Sequence, residues 1–210
     1  MTRLIVWRHG NTDWNAGNRV QGQTDVPLND LGRRQAVDAA ELLVRLRPVA
    51  IVASDLRRAA DTASALVALT GLPVRYDERL RERYFGAWEG FTMPEVKEAW
   101  PAEHARWQAG ADVVGSDVET LADLGKRVAD GLQEAADLAP LGGTVIVATH
   151  GAAARQGIGH LLGWPMEQLR TLRALQNCHW VDLTHDEVRG WQIGAYNVGP
   201  FTDRPVPPPV

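Results

Sequence analysis

Two histidines and two arginines stand where short apolar runs give way to glycine or small polar residues. Arg8 and His9 follow Leu4-Ile5-Val6-Trp7, and His150 follows Val145-Ile146-Val147-Ala148-Thr149. Arg58 comes just after Ala50 to Ala53, across Ser54-Asp55-Leu56-Arg57. A neutral imidazole nitrogen is a nucleophile, and guanidinium forks match the oxygens of a phosphate. Any one of these residues alone is weak, because single histidines and helix-start arginines are usually structural or solvated. As a set at the ends of parallel strands they would share one small volume, since open α/β sheets bind ligands beyond the carboxyl ends of their strands. Such a site calls for a phosphoryl group.

The elements that must position these groups read as an α/β domain with a mostly parallel central sheet and helices on both faces. Strands are expected at 4–7, 50–53, 74–76 and 145–148, and a late hairpin over 181–183 and 191–195. A helix starts at Asn29 as N-cap, with Leu31, Ala36, Ala39, Ala40, Leu43 and Leu46 on one face and Pro48 ending it. A second helix runs from about Arg58 to Thr70, ahead of Gly71 and Pro73. Others span roughly 117–138 and 152–162. Residues 18–28 read as a loop, and 80–116 as the least regular part. A single domain over 1–199 is expected, with a loose proline-rich tail at 200–210.

The 210 residues suffice for one substantial core. With 45% hydrophobic and 23% charged residues, extensive disorder is excluded. No apolar run is long enough to cross a bilayer, and the short run Leu4-Ile5-Val6-Trp7 is not expected to be a secretory leader. The lone Cys178 cannot form an internal disulfide, so the cytoplasm is the expected compartment. A net charge of −4 without any basic run speaks against nucleic-acid partners. An anionic substrate must therefore be captured locally, by a few arginines in a cleft. Nothing calls for a cofactor or a metal. His104, His160, His179 and His185 are scattered, and arginines beside His9 would repel a cation. A homo-oligomer is left open.

The motifs R-H-G-N-T-D-W-N at 8–15, S-D-L-R-R-A-A-D-T-A at 54–63, R-L-R-E at 79–82 and A-T-H-G at 148–151 resemble those of the histidine phosphatase (phosphoglycerate mutase-like) superfamily. The resemblance extends through N-C-H-W at 177–180 and Y-N at 196–197, and so covers nearly the whole chain. Asn11 departs from it, since Glu or Gln is commoner there. The resemblance implies a metal-independent phosphomonoester hydrolase acting through phosphohistidine on a small phosphorylated metabolite. It makes His9 the nucleophile and Glu82 the general acid, then base. Arg8, Arg58 and His150 would hold the phosphate oxygens, with Asn15, Gln21 and Gly151 as further phosphate-binding positions. Arg8, Arg58 and a charged His150 should all favour a neutral His9, whose other ring nitrogen needs a backbone carbonyl. Arg57 is left structural. On the residues alone, Glu82 reads as a surface ion-pair partner in the charged run from Asp77 to Arg83.

Residues 83–116 are expected to cap the site. Trp88, Trp100 and Trp107 there fit an apolar wall for a sugar as well as simple packing. Only Arg83 and Arg106 fall in this stretch, without the paired arginines that mutases of the superfamily use for a second anionic group. Net hydrolysis is therefore expected, with a phosphoglycerate mutase-type isomerase as the alternative and a noncatalytic phospho-ligand module as a weaker one. In Q-G-Q-T-D at 21–25 and S-D-L-R-R-A at 54–59 the chain looks most like an actinobacterial group of glucosyl-3-phosphoglycerate phosphatases.

Overall fold

Strand β1 (Thr2–Arg8) sends alternate side chains to opposite faces of the sheet, as the two-residue period of a strand requires. Leu4 and Val6 enter one core, and Ile5 and Trp7 the other. The computed structural model describes residues 1–200, so of the expected tail at 200–210 all but Pro200 lies outside the described residues. After β1 come a short α1 (Asp13–Ala16) and α2 (Asp30–Leu43), then β2 (Ala50–Ala53), α3 (Arg57–Thr70) and β3 (Val74–Tyr76). The cap contributes α4 (Met93–Ala99) and α5 (Pro101–Gln108). The chain returns through α6 (Leu121–Ala136), β4 (Thr144–Thr149), α7 (Gly151–Leu161) and α8 (Met166–Leu169). It ends in the hairpin β5 (Trp180–Asp186) and β6 (Gly190–Val198).

The sheet order is β3-β2-β4-β1-β5-β6. The first four strands are parallel, and the hairpin is antiparallel to them. Helices α2 and α3 cover one face with Ala36, Ala39, Ala40, Leu43, Ala63 and Leu66. Helices α6 and α7 cover the other with Leu124, Val128, Leu132, Ala153 and Ile158. A third, smaller cluster of Val20, Trp88, Val96, Val113 and Val118 holds the cap together, with Trp100 and Trp107 packed on it. Trp88 and Trp100 thus pack the cap, while Trp107 packs there and also lines a neighbouring cavity.

The start of α2 differs from the expected pattern. Asn29 is the N-cap, accepting from the Gly32 N–H at 2.9 Å. Leu31, however, is exposed, and the position that turns inward is Gly32. A Cβ on Gly32 would collide with the backbone of Asn11, and one on Gly10 with the backbone of Gly32. The helix therefore meets the loop after β1 main chain to main chain. A residue without a side chain gives no signal in an apolar periodicity, and this is why Leu31 was expected there instead.

Candidate active site

Strand register brings the site together. Arg8 pairs with Thr149 across β1 and β4, so the next residues, His9 and His150, emerge side by side with ring centroids 5.2 Å apart. Ala53 pairs with Ala148, which sets Ser54 beside them. Arg58 enters from the first turn of α3 and is fully buried.

His9 is 2% exposed, and its Nδ1 lies 2.7 Å from the carbonyl oxygen of Gly10. A carbonyl can only accept, so Nδ1 carries the hydrogen and Nε2 the lone pair. Burial first, then the charges of Arg58 and Arg8, hold the ring well below the usual histidine range. His9 is therefore neutral at pH 7, as a nucleophile must be.

His150 departs from expectation. Its Nδ1 accepts from Arg58 Nε at 3.2 Å, and its Nε2 meets Ser54 Oγ at 2.9 Å. A nitrogen that accepts from a guanidinium carries no proton, so the ring is neutral rather than charged. Burial, followed by Arg58, His9 and Arg8, pushes its basicity in the same direction. It is completely buried and lies behind Arg58 rather than on the wall of the cleft.

The guanidinium of Arg58 donates to Gly22 O at 2.7 Å and to Thr24 O at 2.9 Å. Its pKa is lowered to about 10 by burial, against the pull of Glu82, Asp25 and Glu89. That still leaves it charged. Arg8 bonds Leu175 O through Nη1, while its buried Nε has no partner among the described residues. Gly151, which opens α7, packs against that Nε. Glu82 Oε1 accepts the N–H groups of Arg83 at 2.8 Å and Ala153 at 2.9 Å, and Oε2 that of Ala152 at 3.1 Å. The carboxylate is thus seated on the N-terminus of α7, where the helix dipole favours negative charge. It is no surface ion pair.

Arg8, His9, Arg58 and Glu82 line one cleft of about 220 Å³, together with Asn15, Gln21, Arg19, Phe85 and Met93. Thr12 caps α1 in a reciprocal box with Asn15, whose Oδ1 it engages. Thr12 Oγ donates to Gln21 Oε1 at 3.0 Å. Both amide oxygens are thereby occupied, and the NH₂ groups are left to meet a ligand. Arg57 is exposed, and its backbone N–H is taken by Asp25 at 2.7 Å.

Several supporting residues were not anticipated from the sequence. Asn177 donates to the carbonyls of His9 and Gly10, each at 3.1 Å. Thr62 Oγ accepts the Gly10 N–H at 3.0 Å. Glu89 accepts from Gln23 N, Thr24 N, Thr24 Oγ and Phe85 N, and so ties the loop that holds Arg58 to the cap. Asn177 lay within a recognised motif, but only the fold could give it a role.

The profile of the histidine phosphatase superfamily (branch 1) matches residues 4–199. The chain belongs to this superfamily. It is 41% identical to a glucosyl-3-phosphoglycerate phosphatase of Mycolicibacterium vanbaalenii, with 93% of this chain and 94% of the relative covered. A solved mycobacterial glucosyl-3-phosphoglycerate phosphatase complexed with VO3 superposes with a TM-score of 0.87 at 36% identity, over 95% of this chain and all of that one. A probable phosphoglycerate mutase of Yersinia pestis is 32% identical over 98% of this chain and 97% of its own length. The superfamily thus reaches this chain through both hydrolases and mutases, and the geometry of the cap bears on the choice. Arg83 and Arg106 both turn away from the cleft. Their Nε groups donate to Glu119 O at 2.8 Å and Asp112 O at 2.9 Å. The cap faces the cleft with Phe85 and Met93. Among the described residues no helix is long and apolar enough to cross a membrane.

Proposed function

We propose that this histidine phosphatase hydrolyses a phosphate monoester on a sugar–glycerate metabolite of the glucosyl-3-phosphoglycerate type. The observation that carries the reading is the neutral His9, fixed through Nδ1, with Nε2 facing a cleft that holds Arg8, Arg58 and Glu82. The substrate enters as its phosphate monoanion and passes its proton to the Glu82 carboxylate. Nε2 attacks phosphorus, the P–O bond to the leaving oxygen breaks, and Glu82 hands that proton on to the leaving oxygen. The phosphorylated imidazole is cationic, and Gly10 O stabilises its Nδ1–H. Arg8 and Arg58 hold the nonbridging oxygens as charge moves across. Water then attacks phosphorus, Glu82 takes its proton, and the N–P bond breaks to release inorganic phosphate. Asn15 and Gln21 donate to the phosphate or its neighbouring hydroxyls. His150 acts by fixing Arg58, and Gly151 by letting α7 close on Arg8.

The apolar cap wall of Phe85 and Met93 suits the carbon face of a sugar. The absence of a cap arginine from the cleft lining favours release of phosphate over its return to a second hydroxyl. In EDTA, the protein is expected to release phosphate from glucosyl-3-phosphoglycerate and to trap acid-labile, base-stable label on His9 during a rapid quench. Given 3-phosphoglycerate and a bisphosphate primer, it should form phosphate faster than 2-phosphoglycerate. Full activity in His9→Ala would overturn the mechanism, and the reverse product ratio would overturn the choice of hydrolysis.

A further inference from the structure

A second group of arginines lies outside the phosphate cleft. Arg83, Arg155 and Arg170 line a cavity of about 330 Å³ with Trp107, Met166 and Leu169, between the cap and helices α7 and α8. None of the residues lining it also lines the His9 cleft. Its size is that of a small-molecule pocket, and its lining contains no carboxylate.

The cations here are poorly matched. Arg83 is 3% exposed, and its buried Nη2 has no hydrogen-bond partner. The nearest carboxylate to that nitrogen, Asp112, stands 3.9 Å away, beyond hydrogen-bond reach. Arg155 Nε is buried and also unpartnered, and among the described residues its guanidinium makes no hydrogen bond or ion pair. Arg170 spends one Nη2 bond on Gly110 O at 2.9 Å. Burial, together with the nearby charge of Arg155, works against the protonated form of Arg83, although Asp112, Glu119 and Glu82 oppose this. Buried charges are normally paired, because an unmet charged donor loses its hydration without compensation. Three guanidinium groups around one cavity whose lining holds no carboxylate are the complement of an anion.

We infer that this cavity is a second anion site, taking a small metabolite with two or more negative charges on oxygen, either a phosphate monoester or a dicarboxylate. The guanidinium forks supply paired donors to either group. Trp107, Met166 and Leu169 supply an apolar wall for its carbon skeleton. The cavity also adjoins the catalytic carboxylate, since the backbone N–H of Arg83 donates to Glu82.

Equilibrium dialysis of the full chain against labelled inorganic phosphate, and separately against labelled malonate, tests the site. At least one probe should fill a second equivalent per chain beyond the one in the His9 cleft. Arg155→Gln should weaken that second equivalent about tenfold or more, as loss of a charge-assisted hydrogen bond implies, and leave the first unchanged. Arg170→Gln should do the same. Because Arg170 is exposed, that variant keeps the test open if Arg155→Gln does not fold. Saturation at one equivalent with both probes, or a second equivalent unaffected by Arg170→Gln and by any folded Arg155→Gln, would overturn the proposal.

Discussion

Replacing Glu82 by Gln separates its observed role as an anchor from its proposed role as general acid. As a structural anchor it accepts two N–H bonds at Oε1 and one at Oε2. Gln keeps one oxygen. If that oxygen takes the place of Oε1, the bonds to Arg83 and Ala153 survive, and the NH₂ group is turned against the Ala152 N–H. One charge-assisted bond is lost, at about 1.5–3 kcal/mol. The charge at the N-terminus of α7 is lost as well, at about 0.3–1 kcal/mol. Glu82→Gln should therefore destabilise the protein by roughly 2–4 kcal/mol, read from urea denaturation. As general acid, the same residue matters in proportion to how poor the leaving group is. Phosphorylation of His9 by a sugar or glycerate phosphate should slow by about 10²–10⁴-fold, and phosphorylation by p-nitrophenyl phosphate far less, because its phenolate departs unaided. Single-turnover quench measures that step apart from dephosphorylation, in which Glu82 serves as base for both substrates. Equal slowing of the two substrates, alongside the stability loss, would leave Glu82 as an anchor only and refute the acid assignment.

Glu89→Gln supplies the contrast. It weakens the tie on the 22–24 loop, whose carbonyls orient Arg58, so turnover of both substrates should fall by one common factor; a leaving-group dependence like that of Glu82 would make Glu89 the acid instead. Acid stability offers a further check. His9 and His150 are held neutral in the fold, well below the unfolded value of 6.5, so the unfolded chain binds more protons as pH falls through that value. Stability should drop by up to about 1.4 kcal/mol per pH unit for each histidine below roughly pH 6.5. Asp55, held low chiefly by its hydrogen bond to Arg81, adds its own loss only from about its ordinary value of 3.8 downward. Urea midpoints unchanged between pH 7.5 and 5.5 would show that the two rings are not neutral by burial.

What could be read from the chain alone was whatever its local pattern records. The ends of β1 and β4 were legible because an apolar strand stops visibly at His9 and at His150. Parallel pairing then makes neighbours of residues far apart in sequence. The helix at Arg57–Thr70 was legible from Gly71 and Pro73 just past its end. The supports of the site were not legible in this way. Asn177 reaches the His9 carbonyl from 168 residues away, and Ser54 reaches His150 across 96. A polar side chain declares its partner only when the fold supplies one. The neutral state of His150 followed the same logic, for it depends on Arg58 pointing Nε at the ring rather than at the solvent.

The seating of α2 on the loop of His9, the proposed nucleophile, divides the enzyme into a part that can drift and a part that cannot. Gly10 and Gly32 meet through main-chain atoms, so substitution of the neighbouring side chains leaves that contact as it is. The direction of attack is therefore inherited as backbone. New substrates can be accommodated at Arg19, Gln21, Phe85 and Met93 around the mouth without moving His9. A scaffold partitioned in this way lets selection change the alcohol that leaves while the chemistry of the phosphate stays in place.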